Sequence, residues 1–268
     1  MPFVTSHGRA IYYERHGEGP AIVFCHGAGS NAATWWQQLP VFTQAGYSCV
    51  TLDIRCFGRS VAPLAEFTLE NFVDDVIAIA DQEQIERFAL AGQSLGGMVG
   101  LKLALTHPGR MAAFVACDSS LAIDHAELIA IIGQRQISHR AVTIEQRSLG
   151  AWFLKNHPDK AALYAQINHF NPSAHSIPAA EWGGAITGLL QPQHLIPMAA
   201  LQTLACPTLL LVGSEDPIVP VRVMQEVQQL VAGSELVVVP DAGHSAYFEK
   251  PAEFNAAVLD FLGRRAAH

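Results

Sequence analysis

Apolar residues along the chain fall into short continuous runs rather than strict alternation. The runs are AIVFC at 21–25, YSCVTL at 47–52, FALAG at 88–92, AAFVAC at 112–117, TLLLVG at 208–213 and ELVVV at 235–239. A strand that is apolar at successive positions is buried on both faces, as in a parallel sheet. Between the runs, apolar positions recur at helical spacing in TLENFVDDVIAIADQ from Thr68, LGGMVGLKLALTH from Leu95, VPVRVMQEVQQLV from Val219 and PAEFNAAVLDFLGRR from Pro251. Strand then helix, repeated, predicts a parallel sheet with helices on both sides. The N-terminal FVTSHGRAIYYERHG reads instead as a hairpin turning at His7-Gly8, which puts antiparallel strands at one edge.

The rhythm changes from about Leu121 to Leu201. No strand pattern occurs there, and AELIAIIGQRQI, SLGAWFLKNH and KAALYAQINHF follow helical spacing, with Pro172, Pro178, Pro192 and Pro197 breaking the rest. The predicted organisation is a core formed by residues 1–120 and 202–268 with a helical cap inserted at 121–201. A chain of 268 residues, 50% hydrophobic, is long enough to bury such a core.

Charge narrows the class of partner. The formal net charge is −8 and no basic run could track a phosphate backbone, which excludes nucleic acid as the expected ligand. No window approaches the roughly 18 apolar residues of a membrane span, so no membrane is expected. Cys25, Cys49 and Cys117, of five cysteines, lie inside the predicted strands, which points to free thiols and a cytoplasmic setting. The twelve histidines form no metal-ligand pattern, and neither a metal nor another cofactor is implied. The expected partner is a small-molecule substrate; association into a homo-oligomer is left open.

Chemistry enters with LAGQSLGGMVG at 90–100. Gly92-Gln93-Ser94-Leu95-Gly96 is G-x-S-x-G between a predicted strand and a predicted helix, the setting of a nucleophile elbow. A side chain at either flanking glycine would meet neighbouring backbone, so the glycines expose Ser94. A dinucleotide fingerprint or a phosphate-binding P-loop needs residues that this stretch lacks. A serine nucleophile needs a base and an orienting acid. Ser214-Glu215-Asp216-Pro217 follows the TLLLVG run and supplies Asp216, favoured over Glu215; Asp241-Ala242-Gly243-His244 follows ELVVV and supplies His244. Asp118, directly after AAFVAC, is a rival acid on the same rim. The backbone N–H groups of Leu95 and of Ala28, in FCHGAGSN, are the candidate oxyanion donors, and His26 is read as structural.

Together, HGAGS at 26–30, DIRCFGRS at 53–60, GQSLGG at 92–97, GSEDPIV at 213–219 and DAGHSAYFEKP at 241–251 resemble the α/β-hydrolase superfamily. Within it the chain is similar to the group of esterases, enol-lactonases, haloperoxidases and carbon-carbon bond hydrolases. The resemblance implies a mostly parallel central sheet flanked by helices, with a helical cap over a Ser94-Asp216-His244 triad. Cys56 replaces the first glycine of the family's D-x-R-G-x-G-x-S stretch, so that turn is expected to differ and Cys56 to lie near the site. Leu95 stands where haloperoxidase-like members carry methionine, and Ser94 disfavours the branches with an aspartate nucleophile.

The function expected is hydrolysis of an ester or lactone of a small, mainly apolar carboxylic acid through an acyl-enzyme on Ser94. Two alternatives stand beside it: a carbon-carbon bond hydrolase acting on a diketone ring-cleavage product, with Arg135, Arg140 or Arg147 for a substrate carboxylate, and a ligand-binding receptor on the same scaffold. Trp152, Phe153, Tyr164, Phe170 and Trp182 are the aromatic residues expected in the substrate pocket wall.

Overall fold

The computed structural model describes residues 3–138, 143–170 and 179–266. The N-terminal hairpin forms β1 (Phe3–Ser6) and β2 (Arg9–His16), and each of the six apolar runs forms a strand close to its predicted bounds: β3 (Ala21–Cys25), β4 (Ser48–Leu52), β5 (Phe88–Gln93), β6 (Met111–Cys117), β7 (Thr208–Gly213) and β8 (Glu235–Val239). They form one sheet in the order β1-β2-β4-β3-β5-β6-β7-β8. β1 pairs antiparallel with β2, and β2 with β4, while every pair from β4 to β8 is parallel. The hairpin turns at His7 and Gly8, whose φ angles of 46° and 73° suit a tight two-residue turn.

Continuous apolarity has the expected consequence. Leu210 and Val212 of β7 belong to one hydrophobic core and Leu209 and Leu211 to another across the sheet. α2 (Leu69–Gln82) and α3 (Leu95–Thr106) cover the first core together with α9 (Val221–Leu230), and α11 (Pro251–Ala266) covers the second. The Thr68 hydroxyl caps α2 by accepting from the Asn71 N–H, which explains where that helix starts. α1 (Leu39–Gln44) and α10 (Ala246–Glu249) were not legible because six and four residues are too short to show a period.

Between β6 and β7 the described chain forms α4 (Ala126–Ser138), α5 (Ile144–Ser148), α6 (Ala151–Asn156), α7 (Pro158–His169) and α8 (Ala179–Gly188). α5 opens on a reciprocal capping box between Thr143 and Gln146. Pro172 and Pro178, expected to break helices here, and Arg140 lie outside the described residues.

Candidate active site

Ser94 sits at the turn from β5 into α3 with φ 50° and ψ −108°, a conformation L-residues avoid. Surrounding contacts hold it there. The Ser94 N–H donates to the Cys117 carbonyl at 3.0 Å, and its own carbonyl accepts from Gly97, from Met98 and from the Ser119 hydroxyl at 2.6 Å. The flanking glycines are required by space: a Cβ at Gly92 would overlap the Gly96 carbonyl, and one at Gly96 would overlap the Cys25 carbonyl. Backbone cannot yield as a flexible side chain can. Gly96→Ala is therefore expected to lower the unfolding midpoint in urea by the equivalent of about 2 kcal/mol or more, the scale of an overpacked core; an unchanged midpoint would show that β3 and α3 can part.

Three strand ends bring the predicted trio together. The Ser94 Oγ lies 2.9 Å from His244 Nε2, and His244 Nδ1 lies 2.9 Å and 3.1 Å from the Asp216 carboxylate oxygens. The side chains of Asp216 and His244 are both buried. Asp216 is oriented in turn, since its Oδ1 accepts from the N–H groups of Ile218 at 2.7 Å and Val219 at 3.0 Å. Glu215 points away and accepts from the Trp152 N–H.

Asp118, the rival acid, does not touch the imidazole. Its carboxylate accepts from Gly213 N–H and Ala246 N–H, each at 2.8 Å, and from the Cys117 thiol. It thus ties β6 to the ends of β7 and of the histidine loop. Full burial and the charge of Asp216 push its pKa well up.

His244 is fixed through its backbone as well. Its N–H donates to the Ser148 carbonyl at 2.6 Å and its carbonyl accepts from Gln93 Nε2 at 2.6 Å. The Glu249 carboxylate accepts from Gly243, Ser245 and Gly150 N–H groups around it. Sequence reading missed Gln93, Ser119, Ser148 and Glu249. The available signal was an acid set directly after the apolar AYF of DAGHSAYFEKP, too near the histidine to be a solvated surface residue.

Ala28 borders the same cavity as Ser94 and His244, and Leu95 opens α3 directly after the serine. Neither amide has a backbone or side-chain acceptor among the described residues. His26, fully buried, accepts from the Ile54 N–H through Nε2 and so donates from Nδ1 to the Gly27 carbonyl. Burial lowers its pKa and keeps the ring neutral, as a structural residue requires.

Cys56 takes φ 74°, the left-handed region where a glycine costs nothing and another residue costs roughly 1–2 kcal/mol. The thiol is buried toward the Pro63 carbonyl at 3.6 Å, outside the cavity lining, and burial pushes its pKa up to about 12.

Ser94 opens on a cavity of about 320 Å³ lined by Phe57, Met98, Ile132, Ile144, Leu190 and Ile218 among others, with Arg147, Tyr164 and His244 as ionisable residues among its described lining. Of the aromatic residues expected in the wall, Tyr164 and Trp182 border it. Tyr164 also shares a 2.9 Å hydrogen bond with Ser245, and Trp182 stacks on Phe57 with ring centres 5.1 Å apart. Three of the aromatic expectations are corrected. Phe153 is buried in the second core against His157 and Phe248. Trp152 lies on the surface beneath the Lys250 ammonium at 3.6 Å. Phe170 is 60% exposed, and its carbonyl accepts from Asn31 Nδ2. Spacing within a helix told which residues were aromatic but not which face met the cavity.

Among the described residues no three His, Cys, Asp or Glu side chains converge as metal ligands do, and no helix is long and apolar enough to cross a membrane.

The sequence model of the family described as the alpha/beta hydrolase fold matches residues 20–251. The chain is similar to 3-oxoadipate enol-lactonase 2 of Acinetobacter baylyi, 27% identical over 97% of this chain and 96% of that one. Among solved structures it is similar to an N-acyl homoserine lactone degrading enzyme, with TM-score 0.80, 28% identity, and 97% of this chain and 100% of the other covered. A thermophilic esterase from Thermogutta terrifontis shares the fold with TM-score 0.82 at 23% identity, over 98% of each chain.

Proposed function

The chain belongs to the α/β-hydrolase fold family, and from that premise we propose that it hydrolyses an ester or lactone of a small, mainly apolar carboxylic acid through an acyl-enzyme on Ser94. The observation that carries this reading is a hydrogen-bonded chain, Ser94 to His244 to Asp216, opening on a mostly apolar cavity. The lactone-degrading relatives support the substrate class. Residues 121–201 act as a cap over a core formed by 1–120 and 202–268, and the setting is the cytoplasm, in keeping with five free thiols.

In this reading Ser94 Oγ attacks the substrate carbonyl while His244 Nε2 takes its proton. Asp216 holds Nδ1–H, fixing the tautomer that leaves Nε2 free to accept and stabilising the imidazolium that forms. The amides of Ala28 and Leu95 take the oxyanion, and the aligned peptide dipoles at the start of α3 favour negative charge there. His244 then returns its proton to the leaving oxygen. A water, deprotonated by the same imidazole, releases the acid. In a lactone the leaving alcohol stays tethered to the acid.

A panel of p-nitrophenyl esters of rising acyl length, lactones and ring-cleavage diketones tests this. Esters and lactones should be turned over at least about tenfold faster in kcat/KM than any diketone, the scale of modest pocket discrimination. Binding without burst or turnover on every activated ester would favour a receptor.

A second reading has one observation behind it. Arg147, on α5, borders the cavity and gives its lining a basic side chain of charge opposite to a carboxylate. A diketone bearing a carboxylate, cleaved at carbon-carbon by the same triad, fits that residue. The diketones in the panel decide between the two. The other arginines weighed for this role, Arg135 by its side chain and Arg140 altogether, lie outside the described residues.

A further inference from the structure

Glu249 is 4% exposed and among the described residues has no cation within salt-bridge distance, yet its carboxylate meets three backbone N–H groups. Gly243 donates to both oxygens, at 2.9 Å and 3.0 Å, Ser245 donates to Oε1 at 3.2 Å, and Gly150 donates to Oε2 at 2.8 Å. Gly243 and Ser245 flank His244, and Gly150 caps α6 two residues beyond Ser148, whose carbonyl holds the His244 N–H. One side chain therefore grips the chain on both sides of the proposed base and latches it to the segment between β6 and β7.

Resting on the function proposed above, we propose that Glu249 is a positioning residue for His244, and that the Ser94-His244 pair is correctly assembled only while the Glu249 carboxylate is ionised. The reason is donor and acceptor arithmetic. Each oxygen of Glu249 accepts from two N–H groups, so whichever oxygen gains a proton turns a hydroxyl donor toward two donors. Neutral Glu249 loosens the loop at Gly243, Ser245 and Gly150 together.

The surroundings place that change near neutrality. The Glu249 pKa is pushed up to about 7, chiefly by burial, with the charge of Asp216 at the end of β7 adding to the rise and the three N–H groups offsetting only part of it. The other groups around it come from several elements. Tyr164 of α7 feels its charge, and Arg147 of α5 feels that of Tyr164. Glu215 approaches Gly150 and holds the Trp152 N–H, while Lys250 is engaged by Trp152 and by Asp241 at 3.9 Å. Asp118 anchors Ala246 from the end of β6. With a folded pKa above the unfolded one, this carboxyl favours the fold below the usual carboxylate range. That contribution is lost as pH rises through about 7, so the active form is kept at a cost in stability.

The test is the second-order rate of Ser94 phosphorylation by diisopropyl fluorophosphate as a function of pH, in which Ser94 Oγ displaces fluoride and no natural substrate is needed. Labelling is normalised to the sites finally labelled, so unfolded protein does not count. In the wild type the logarithm of the rate should fall below about pH 7 more steeply than in Glu249→Gln, by the one proton that Glu249 binds. Glu249→Gln should lose that proton from its slope and reach a plateau at least about tenfold lower. Glu249→Asp, which keeps the charge, should keep the wild-type slope. A structural role alone would reduce the number of labelled sites and leave the slope unchanged. A wild-type rate that does not change with pH through about 7, which needs no variant to fold, or a Glu249→Gln profile matching wild type, overturns the proposal. If Ser94 is not labelled at all, the nucleophile assignment itself fails and this role falls with it.

Discussion

Ser94→Ala is expected to lower kcat on an activated ester by about a million-fold, the scale of nucleophile loss in other serine hydrolases. At 1.36 kcal/mol per tenfold that is about 8 kcal/mol of transition-state stabilisation. The size follows from the route: without Oγ, hydrolysis needs direct attack by water. The Ala28 and Leu95 amides and the cavity would then supply only the residual acceleration over solution. Pre-steady-state and steady-state release of p-nitrophenol measure it. The initial burst, one acyl group per site, should vanish together with turnover. A variant within about a hundredfold of wild type would remove Ser94 from the chemistry.

Asp216→Asn should cost about ten-thousandfold in kcat with the fold intact. The asparagine carbonyl can keep the N–H groups of Ile218 and Val219, which now bond to Oδ1, so its amide nitrogen is the atom left facing His244. That nitrogen donates, which turns Nδ1 into the acceptor and puts the proton on Nε2, where it blocks acceptance from Ser94. Asp118→Ala makes the control because it lies as deep and as close in sequence to a strand end. It strands the N–H groups of Gly213 and Ala246, at about 1–3 kcal/mol for each buried donor without a partner. It should lower the urea midpoint far more than it lowers kcat. At least about a hundredfold in kcat should separate the two variants. If Asp118→Ala is instead the more damaging to kcat per folded molecule, the orienting acid is misassigned.

Sequence legibility divided along physical lines. The sheet was readable because β3, β4, β5 and β7 are buried on both faces and carry few polar residues, so each announced itself as a mostly apolar run. The trio of Ser94, Asp216 and His244 was readable for a related reason. In a parallel sheet all C-terminal strand ends share one rim, so the Ser94 turn was bound to meet the two loops that carry Asp216 and His244 far along the chain. The positive φ at Ser94 and the tight space at Gly92 and Gly96 were implied by the glycine pattern.

What stayed hidden depended on direction in space. Trp152, Phe153, Tyr164, Phe170 and Trp182 occupy helices or helix ends whose approach to the core is set by loops with no periodic signature, and only Tyr164 and Trp182 turn to the cavity. Phe57 and Met98, in the wall, carried no mark distinguishing them from ordinary core residues. Glu249 was marked only by its place directly after the apolar AYF, because its partners are backbone N–H groups, which leave no trace in residue identity.

The central claim is that Ser94 becomes covalently acylated. Acid quench of the protein during turnover of p-nitrophenyl butyrate, followed by peptide mass mapping, reads this directly. The account expects a butyryl group on the peptide containing Ser94 and on no other, absent from Ser94→Ala. Sustained turnover with that peptide unmodified, or with the acyl group on another side chain, would contradict it.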